Sequence, residues 1–439
     1  MRSAQSRDLE QALWDALPYE LIGRARAAFE EHADAAGVEI LLADYRQAYL
    51  VPTVSGGDPV RVDNTPEGHA FAAQRVVRGE RDGEPVLHLP LSVHGDRLGV
   101  LSVRPSAKAD EDLREANGEG PPWEERMESA AVVLARALKI ADANTDLYRR
   151  IRRRTRLTLA AEMQWDLLPG RACDTGTFHL AGQLEPAYAV WGDNFDWSVS
   201  EDRLTLTVSN GTGTGTEAAA LTHLAISALR NARRSGADIA EQAALADQTL
   251  YAHHRGTRHL ATLLLDFEPA TGRVLAIDAG SPRVYRMRGS TTEILDFEAQ
   301  LPLGMFGDAH YTTEEFMIEP GDRLVVVSDG VHSAKSPAGE LYGTLALLQA
   351  LRETRLQNPS EAVRTFIRHF LAYHQGAEQV DDAVVVCLDW NGIPGSAPDA
   401  EQDSAAEDDS AAGGESVAGA GGESGAGRDS GSETAPVRA

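Results

Sequence analysis

Short apolar runs, separated by turns rich in Gly, Asp and Pro, dominate the chain from about residue 160 to residue 390. Continuous or alternating runs of β-branched and aliphatic residues are typical of strands, whereas apolar residues at three- and four-residue steps are typical of helices. We predict strands at 178–183, 204–208, 260–267, 273–278, 283–287, 323–327 and 383–388, and helices at 217–234, 239–253, 342–354 and 359–373. Successive strands joined by short turns, with the helices in two groups, favour antiparallel sheets with helices packed outside them.

The sequence pattern from about residue 10 to residue 140 predicts a separate α/β unit. It contains a predicted helix at 19–35 and apolar runs at 37–45, 85–93 and 97–103. The turn His94-Gly95-Asp96 between the last two runs predicts a β-hairpin. The order helix, strand, helix, hairpin and closing helix, with an apolar-Pro-apolar run before the turn, resembles a GAF sensor domain. A PAS-like or unrelated sensor fold remains an alternative.

The stretch 123–168 contains few helix-breaking residues and no proline, and Pro169 follows directly after it. Its apolar residues recur at three- and four-residue steps; they include Val133, Leu134, Leu138, Ala141, Leu147, Tyr148 and Ile151. This pattern predicts one continuous signalling helix over 123–168, and a homodimer through it, because two such helices would bury the stripe that one leaves exposed. Six arginines within 149–156 form either a solvated face or a surface that pairs with acidic groups of a partner or of the same chain.

Composition and charge exclude several classes of protein. The 439 residues include 41 basic and 67 acidic ones, and the formal net charge of -26 argues against a nucleic-acid partner, because phosphate backbones bind basic faces. No run approaches the roughly 20 apolar residues that cross a bilayer, and no apolar signal core is present at the N-terminus, so no membrane association is expected. Two cysteines, Cys173 and Cys387, favour a reducing cytoplasm over a disulfide framework. The segment 391–439 is rich in Gly, Ala, Ser, Asp and Glu and is predicted to be a disordered acidic tail.

Oxygen-bearing side chains stand in turns beside the ends of predicted strands. They are Asp193, Asn210 with Gly211, Asp329, and Asp381 with Asp382. Carboxylate and carbonyl oxygens are the ligands that hard divalent cations such as Mg²⁺ and Mn²⁺ prefer. The pattern therefore raises the hypothesis that these turns form one metal site.

A series of short motifs runs in order through the segment 160–390. They are Met163-Gln164-Trp165-Asp166-Leu167-Leu168-Pro169, Glu185-Pro186-Ala187, Trp191-Gly192-Asp193-Asn194-Phe195-Asp196, Asn210-Gly211-Thr212-Gly213-Thr214-Gly215, Ala279-Gly280-Ser281-Pro282, Leu301-Pro302-Leu303-Gly304, Ser328-Asp329-Gly330 and Asp381-Asp382-Ala383-Val384. In this order they resemble the motifs of SpoIIE-type, RsbU-like members of the metal-dependent PPM serine/threonine phosphatases. The resemblance implies a PPM-type β-sandwich flanked by helices, so we expect an α+β chain with the sensor unit at its N-terminal end.

The resemblance also implies a chemistry and a set of ligands. Two Mn²⁺ or Mg²⁺ ions would serve hydrolysis of a phosphoserine or phosphothreonine on a protein. Asp193 would bridge the two ions, the carbonyl of Gly211 would be a ligand, and Asp329 with Asp381 would complete one shell. Asp382 would be either an alternative ligand at the same place or an acid that supports the ligands without touching the metal. The implied substrate is a phosphorylated anti-sigma-factor antagonist of the STAS type, within a bacterial partner-switching pathway that the N-terminal sensor controls.

The chain departs from the family at the centre of this site. Asn210 stands where the family has a second metal-bridging aspartate, and a neutral amide oxygen bridges two cations poorly. Thr214 and Ser281 also replace histidines that are common in the family. Two interpretations therefore stand: an active phosphatase, or a catalytically impaired domain with the same fold that acts as a regulatory binding module.

Overall fold

The computed structural model describes residues 2–54, 56–109, 122–154, 157–187, 189–377 and 379–393. Its N-terminal elements, in chain order, are α1 (Arg2–Trp14), α2 (Leu21–His32), β1 (Ala35–Ala43), β2 (Tyr49–Pro52), β3 (Val60–Arg61), α3 (Pro66–Ala73), β4 (Val77–Arg81), β5 (Glu84–Val93), β6 (Asp96–Pro105) and α4 (Pro122–Asp142). The six strands form one sheet in the order β3-β2-β1-β6-β5-β4, with every neighbouring pair antiparallel. This arrangement confirms a mixed α/β unit, while its assignment as a GAF domain remains a prediction.

The predicted hairpin is present, and its turn has the backbone that such a turn needs. His94 and Gly95 both have positive φ, at 49° and 86°. Two consecutive residues of this kind form the turn whose twist matches that of the flanking strands. Val93 therefore pairs directly with Asp96, and β5 and β6 continue from there as a long antiparallel pair.

The prediction of one continuous helix over 123–168 is wrong. The structure has three helices there: α4, α5 (Leu147–Arg152) and α6 (Leu159–Leu167). Side-chain oxygens accept hydrogen bonds from backbone N–H groups at both breaks, since Thr145 accepts from Leu147 and Thr158 accepts from Ala161. Polar side chains of this type compete with helix continuation even where no Gly or Pro is present.

The apolar stripe of this segment is buried inside the chain. Leu134, Leu138, Ala141 and Tyr148 belong to the same core as Phe29 of α2. The segment therefore packs on its own N-terminal unit, and the stripe itself offers no surface to a second copy. Three of the six arginines pair with acids of the same segment, Arg149 with Asp166, Arg152 with Asp142 and Arg153 with Glu162.

The C-terminal elements form a second architecture. They are β7 (Ala172–Asp174), β8 (Phe178–Glu185), β9 (Asn194–Val199), β10 (Leu204–Asn210), α7 (Gly215–Arg234), α8 (Ile239–His254), β11 (Ala261–Glu268), β12 (Arg273–Ala279), β13 (Arg283–Arg288), β14 (Thr291–Leu295), β15 (Glu314–Met317), β16 (Arg323–Val327), α9 (Asp329–His332), α10 (Ala346–Glu353), α11 (Pro359–Tyr373) and β17 (Ala383–Trp390). The strands form two antiparallel sheets, β15-β12-β11-β10-β9 and β14-β13-β16-β17-β8-β7. All seven predicted strands and all four predicted helices are confirmed, although α10 begins four residues later than predicted.

The two sheets face each other, and helices cover their outer faces. Alternate residues of β17 show this: Val384 and Val386 belong to the core between the sheets, whereas Val385 and Cys387 belong to the core beneath α10 and α11. Successive side chains of a strand point to opposite faces, so a strand buried on both faces has a nearly continuous apolar sequence. Helices α7 and α8 cover the other sheet in the same way. The expected β-sandwich flanked by helices is therefore confirmed.

Two other predictions concern membrane-crossing helices and the C-terminal tail. Within those ranges, no helix combines the length and the apolar character that crossing a membrane requires. The predicted disordered tail at 391–439 lies outside the described residues from position 394 onward.

Candidate metal centre

The strand order brings the candidate ligands to one end of the sandwich. β9 and β10 are antiparallel, which puts Asp193, just before β9, beside Asn210 at the end of β10. β16 and β17 are antiparallel too, so Asp329, two residues after β16, lies near Asp381, two residues before β17. Strand pairing thus makes neighbours of distant turns within each sheet, and the packing of the two sheets on each other brings the two pairs of turns together.

Asp382 is fully buried, and hydrogen-bond donors occupy both of its carboxylate oxygens. Oδ1 accepts from the backbone N–H of Ala187 at 2.8 Å. Oδ2 accepts from the side-chain amide of Gln164 at 2.8 Å and from the backbone N–H groups of Trp191, Gly192 and Asp193 at 2.8, 2.7 and 3.3 Å. The carboxylate therefore gathers the loop that leads into β9 and fixes the position of Asp193.

Asp193 and Asn210 each hold one buried oxygen that lacks a donor. Asp193 Oδ1 accepts from the backbone N–H of Gly211 at 3.0 Å, but its Oδ2 makes no hydrogen bond of ordinary geometry with any described residue. The amide nitrogen of Asn210 donates to the Ser281 hydroxyl, which leaves Asn210 Oδ1 buried without a donor among the described residues. Buried oxygens are almost always satisfied in proteins, and a divalent cation satisfies such oxygens directly.

Gly211 is required where it stands. A Cβ at this position would lie 2.0 Å from the carbonyl oxygen of Trp191 and 2.6 Å from Gly192 Cα. Only a residue without a side chain allows the two loops to approach closely enough for the Gly211 N–H to reach Asp193.

Burial and neighbouring acids raise the pKa of two acids of this region, Asp193 and Asp381. Burial raises the pKa of Asp193 well above its ordinary value, and the negative charges of Asp382, Asp381 and Asp329 raise it further, while the nearby Ser328 hydroxyl offsets part of the effect. Burial, followed by Asp329 and Asp382, raises the pKa of Asp381 to about 7. Like charges held together in a low-dielectric site repel each other, and a bound cation would relieve that repulsion.

A chain of side-chain hydrogen bonds links two of the three departures from the family pattern, Asn210 and Ser281. Asn210 donates to the Ser281 hydroxyl, and Ser281 donates to Asp329 Oδ2 at 3.2 Å. The carbonyl of Ser281 also lies 3.1 Å from His332 Nε2. Asn210 and Ser281 are therefore partners, although the sequence marked them only as separate replacements.

The acids lie close to one another, but among the described residues they do not form a complete metal-binding site by themselves. Among the described residues, no group of three or more His, Cys, Asp or Glu side chains is arranged so that it could hold a metal ion by itself. Asp382 is committed to its donors, and one of the remaining oxygens comes from an amide, Asn210, and not from an acid. The expected ligands are thus brought together, but the set contains one charge fewer at its centre than the family pattern.

Gln164 is a site residue that the sequence analysis quoted in a motif without giving it a role. Its side-chain amide donates to the Asp193 carbonyl at 2.9 Å and to Asp382. Gln164 is fully buried, and a buried amide needs partners, but the sequence marked this residue only by its place in the motif 163–169.

A two-sheet sandwich with helices on both outer faces, and with acids converging at one end of the strands, is the architecture of a PPM-type phosphatase domain. Residues 200–391 match the family model of Stage II sporulation protein E (SpoIIE), which describes a PPM-type protein phosphatase domain. The predicted resemblance is therefore confirmed for the C-terminal domain.

Individual proteins similar to this chain are distant in sequence. Protein IcfG of Synechocystis sp. is 22% identical over 263 residues, which are 54% of this chain and 41% of IcfG, so the match spans less than half of that relative. The solved RsbU and RsbW domains of Rv1364c from Mycobacterium tuberculosis are 18% identical, with a TM-score of 0.42, and cover 49% of this chain and 60% of that one. The SiaA-PP2C domain of Pseudomonas aeruginosa is 20% identical, with a TM-score of 0.43, and covers 48% of this chain and 85% of that one.

Proposed function

We propose that the C-terminal domain is a metal-dependent protein serine/threonine phosphatase that uses Mn²⁺ or Mg²⁺. The observation that supports this most directly is the pair of donor-free buried oxygens, Asp193 Oδ2 and Asn210 Oδ1, at the centre of a group of mutually repelling acids. Carboxylate and amide oxygens without hydrogen-bond donors are available to coordinate a divalent cation, which a metal-dependent phosphatase needs.

Each residue has a distinct task in this proposal. The residues that would hold the metal are Asp193 and Asn210 through their donor-free oxygens, Gly211 through its carbonyl, Asp329 and Asp381. A divalent ion bound there lowers the pKa of a water and neutralises charge on the phosphoryl oxygens.

Asp382 belongs to the same site without being a ligand. It keeps its donors and holds the loop that carries Asp193.

A regulatory binding module is the second candidate function, and Asn210 favours it. The neutral amide removes about one unit of charge from the place where two cations would meet, so at least the second ion is held more weakly. The same fold could then bind a phosphoprotein without efficient turnover.

The finer assignments are proposals of the same kind. We propose a phosphorylated anti-sigma-factor antagonist of the STAS type as the substrate, control by the N-terminal unit, and a cytoplasmic setting. The match to the SpoIIE family model supports the first, and the two buried, unpaired cysteines support the last. A homodimer remains a prediction that would need a surface other than the buried stripe of α4 and α5.

Mn²⁺-dependent hydrolysis of two substrates, first p-nitrophenyl phosphate and then a protein that carries phosphoserine, tests the proposal. Wild type should hydrolyse both above background, and Asp193→Ala and Asp329→Ala should lose the rate. Asp202→Ala, which changes an exposed acid in the β9–β10 turn, is the matched control and should keep it. A wild type without activity, together with an Asn210→Asp variant that gains it, would overturn the enzyme assignment in favour of the binding module.

A further inference from the structure

The turn between β1 and β2 connects the N-terminal unit to the C-terminal domain through direct side-chain contacts. The Asp44 carboxylate accepts from the backbone N–H groups of Ala48 and Tyr49 at 2.9 and 3.0 Å, which fixes the shape of this turn. At its tip, Tyr45 stacks on Trp165 of α6, with ring centroids 4.6 Å apart. The turn is therefore an ordered contact surface and not a loose connection.

Arg46 of this turn forms an ion pair with a buried acid of the other domain. Its Nη2 lies 2.5 Å from Oε1 of Glu185, the last residue of β8. The Arg46 side chain is 54% exposed, whereas the Glu185 side chain is 1% exposed. The Arg46 carbonyl also accepts from the Gln183 side chain at 3.3 Å, so both ends of this residue are tied to β8.

Glu185 leads directly to the two acids that precede β17. Its carbonyl accepts from the Gln379 side chain at 3.0 Å, and the same amide donates to the Asp381 carbonyl at 2.5 Å. Two residues beyond Glu185, the N–H of Ala187 donates to Asp382. A displacement of the end of β8 would therefore reach both Asp381 and the carboxylate that holds Asp193.

The two partners of this ion pair differ in burial, because the Glu185 carboxylate lies in the interior whereas the Arg46 side chain is largely exposed. The buried carboxylate therefore depends strongly on Arg46. Burial raises the pKa of Glu185 to about 7, and Arg46 opposes that rise. A buried carboxylate that loses the cation paired with it becomes a poorly compensated charge, which is costly in a protein interior, although Arg171 still acts on Glu185 through its charge. Glu185 would then have to take up a proton or move toward water, and either change alters the segment that it begins.

We propose that Glu185 is a positioning residue for the metal centre and that Arg46 is the group through which the N-terminal unit acts on it. The inference rests on the proposed function, because it assigns a means of control to that same site. The N-terminal unit supports the catalytic arrangement by supplying the cation that keeps Glu185 charged and in place.

The test compares Arg46→Gln, Glu185→Gln and the double variant in the full chain, with Arg104→Gln as the control. Arg104 pairs with Glu84 within the N-terminal sheet, at 2.8 Å, and is similarly exposed. The readouts are the Mn²⁺ affinity from calorimetry, kcat and KM for p-nitrophenyl phosphate, and the melting temperature.

We expect Arg46→Gln to weaken Mn²⁺ binding or lower kcat by about fivefold or more, the usual lower range of coupling between sites, with little change in KM. Adding Glu185→Gln removes the unpaired charge and should recover part of that loss, which a merely destabilising change would not do. Arg104→Gln should leave all readouts unchanged.

The outcomes separate the inference from the proposed function. If wild type binds Mn²⁺ and Arg46→Gln matches Arg104→Gln in every readout, the coupling is refuted while the phosphatase assignment stands. An equal loss in the single and double variants that follows the fall in melting temperature would also refute it. A wild type that binds Mn²⁺ without hydrolysis contradicts the enzyme, and the affinities alone then decide the coupling. A wild type that binds no Mn²⁺ overturns both.

Discussion

Replacement of Asp382 by Asn tests whether this acid organises the site through hydrogen bonds. Oδ2 accepts four donors and Oδ1 accepts the Ala187 N–H, all within a fully buried environment. Asparagine has nearly the same shape but only one acceptor oxygen. If that oxygen faces the four donors, the new NH₂ group faces the Ala187 N–H, so one bond is lost and the other four lose their ionic character.

The expected loss of stability follows from these five bonds. A hydrogen bond to a charged group contributes about 1.5–3 kcal/mol and a neutral one about 0.5–1.5 kcal/mol, so the four retained bonds lose roughly 1 kcal/mol each. The lost Ala187 bond adds about 2 kcal/mol. Removal of the Asp382 charge also removes its repulsion with Asp193 and Asp381, and this gain offsets part of the lost free energy of unfolding. We therefore expect the free energy of unfolding to fall by about 3–5 kcal/mol at neutral pH without metal.

Urea unfolding followed by tryptophan fluorescence measures this change, because Trp191 lies in the loop that Asp382 holds. Asp202→Asn is the matched control, since this acid is exposed, and it should leave the free energy of unfolding nearly unchanged. A loss below about 1 kcal/mol in Asp382→Asn would refute the reasoning, because the five donors would then not depend on the carboxylate.

Three further predictions concern the metal centre. Asn210→Asp restores a charge at its centre, so Mn²⁺ affinity measured by calorimetry should rise by about tenfold or more, and an unchanged Kd would contradict this. In metal-free protein, the raised pKa of Asp381 means that the folded state holds protons which the unfolded state has released. The melting temperature in EDTA should therefore fall as the pH rises from about 5 to 8, and Mn²⁺ should abolish that slope. Gly211→Ala places a carbon 2.0 Å from the Trp191 carbonyl and should abolish Mn²⁺ binding and hydrolysis, whereas Gly23→Ala, in open space, should preserve both.

The sheets were predictable where strands lie in the interior of the sandwich. β16 and β17 are buried along almost all of their length and contain the continuous apolar runs 324–327 and 383–388, which local pattern detects. β14 and β15 lie at sheet edges and are half exposed, so their mixed sequences carry no strand signal. β9 was missed because its polar residues were interpreted only as a motif.

The linker was mispredicted because apolar spacing does not report what a stripe packs against. Leu134 and Tyr148 have the spacing of an interface helix, yet they fill the core of the N-terminal unit. Thr145 and Thr158 interrupt the helix by hydrogen bonds that no count of breakers includes.

The candidate ligands were predictable from their motifs, whereas the contacts that position them were not. The structure brings Asp193, Asn210, Asp329 and Asp381 to one end of the sandwich, as the motif order implied. The role of Gln164 depends on neighbours 29 and 218 residues away, and no local pattern specifies such neighbours.

A calorimetric titration of the full chain with Mn²⁺ tests the central claim most directly, because it detects the ion whether or not catalysis follows. The account predicts saturable binding to wild type that Asp193→Ala abolishes and Asp202→Ala preserves. Absence of binding, or binding that survives in Asp193→Ala, would contradict the assignment of this end of the sandwich as the metal centre.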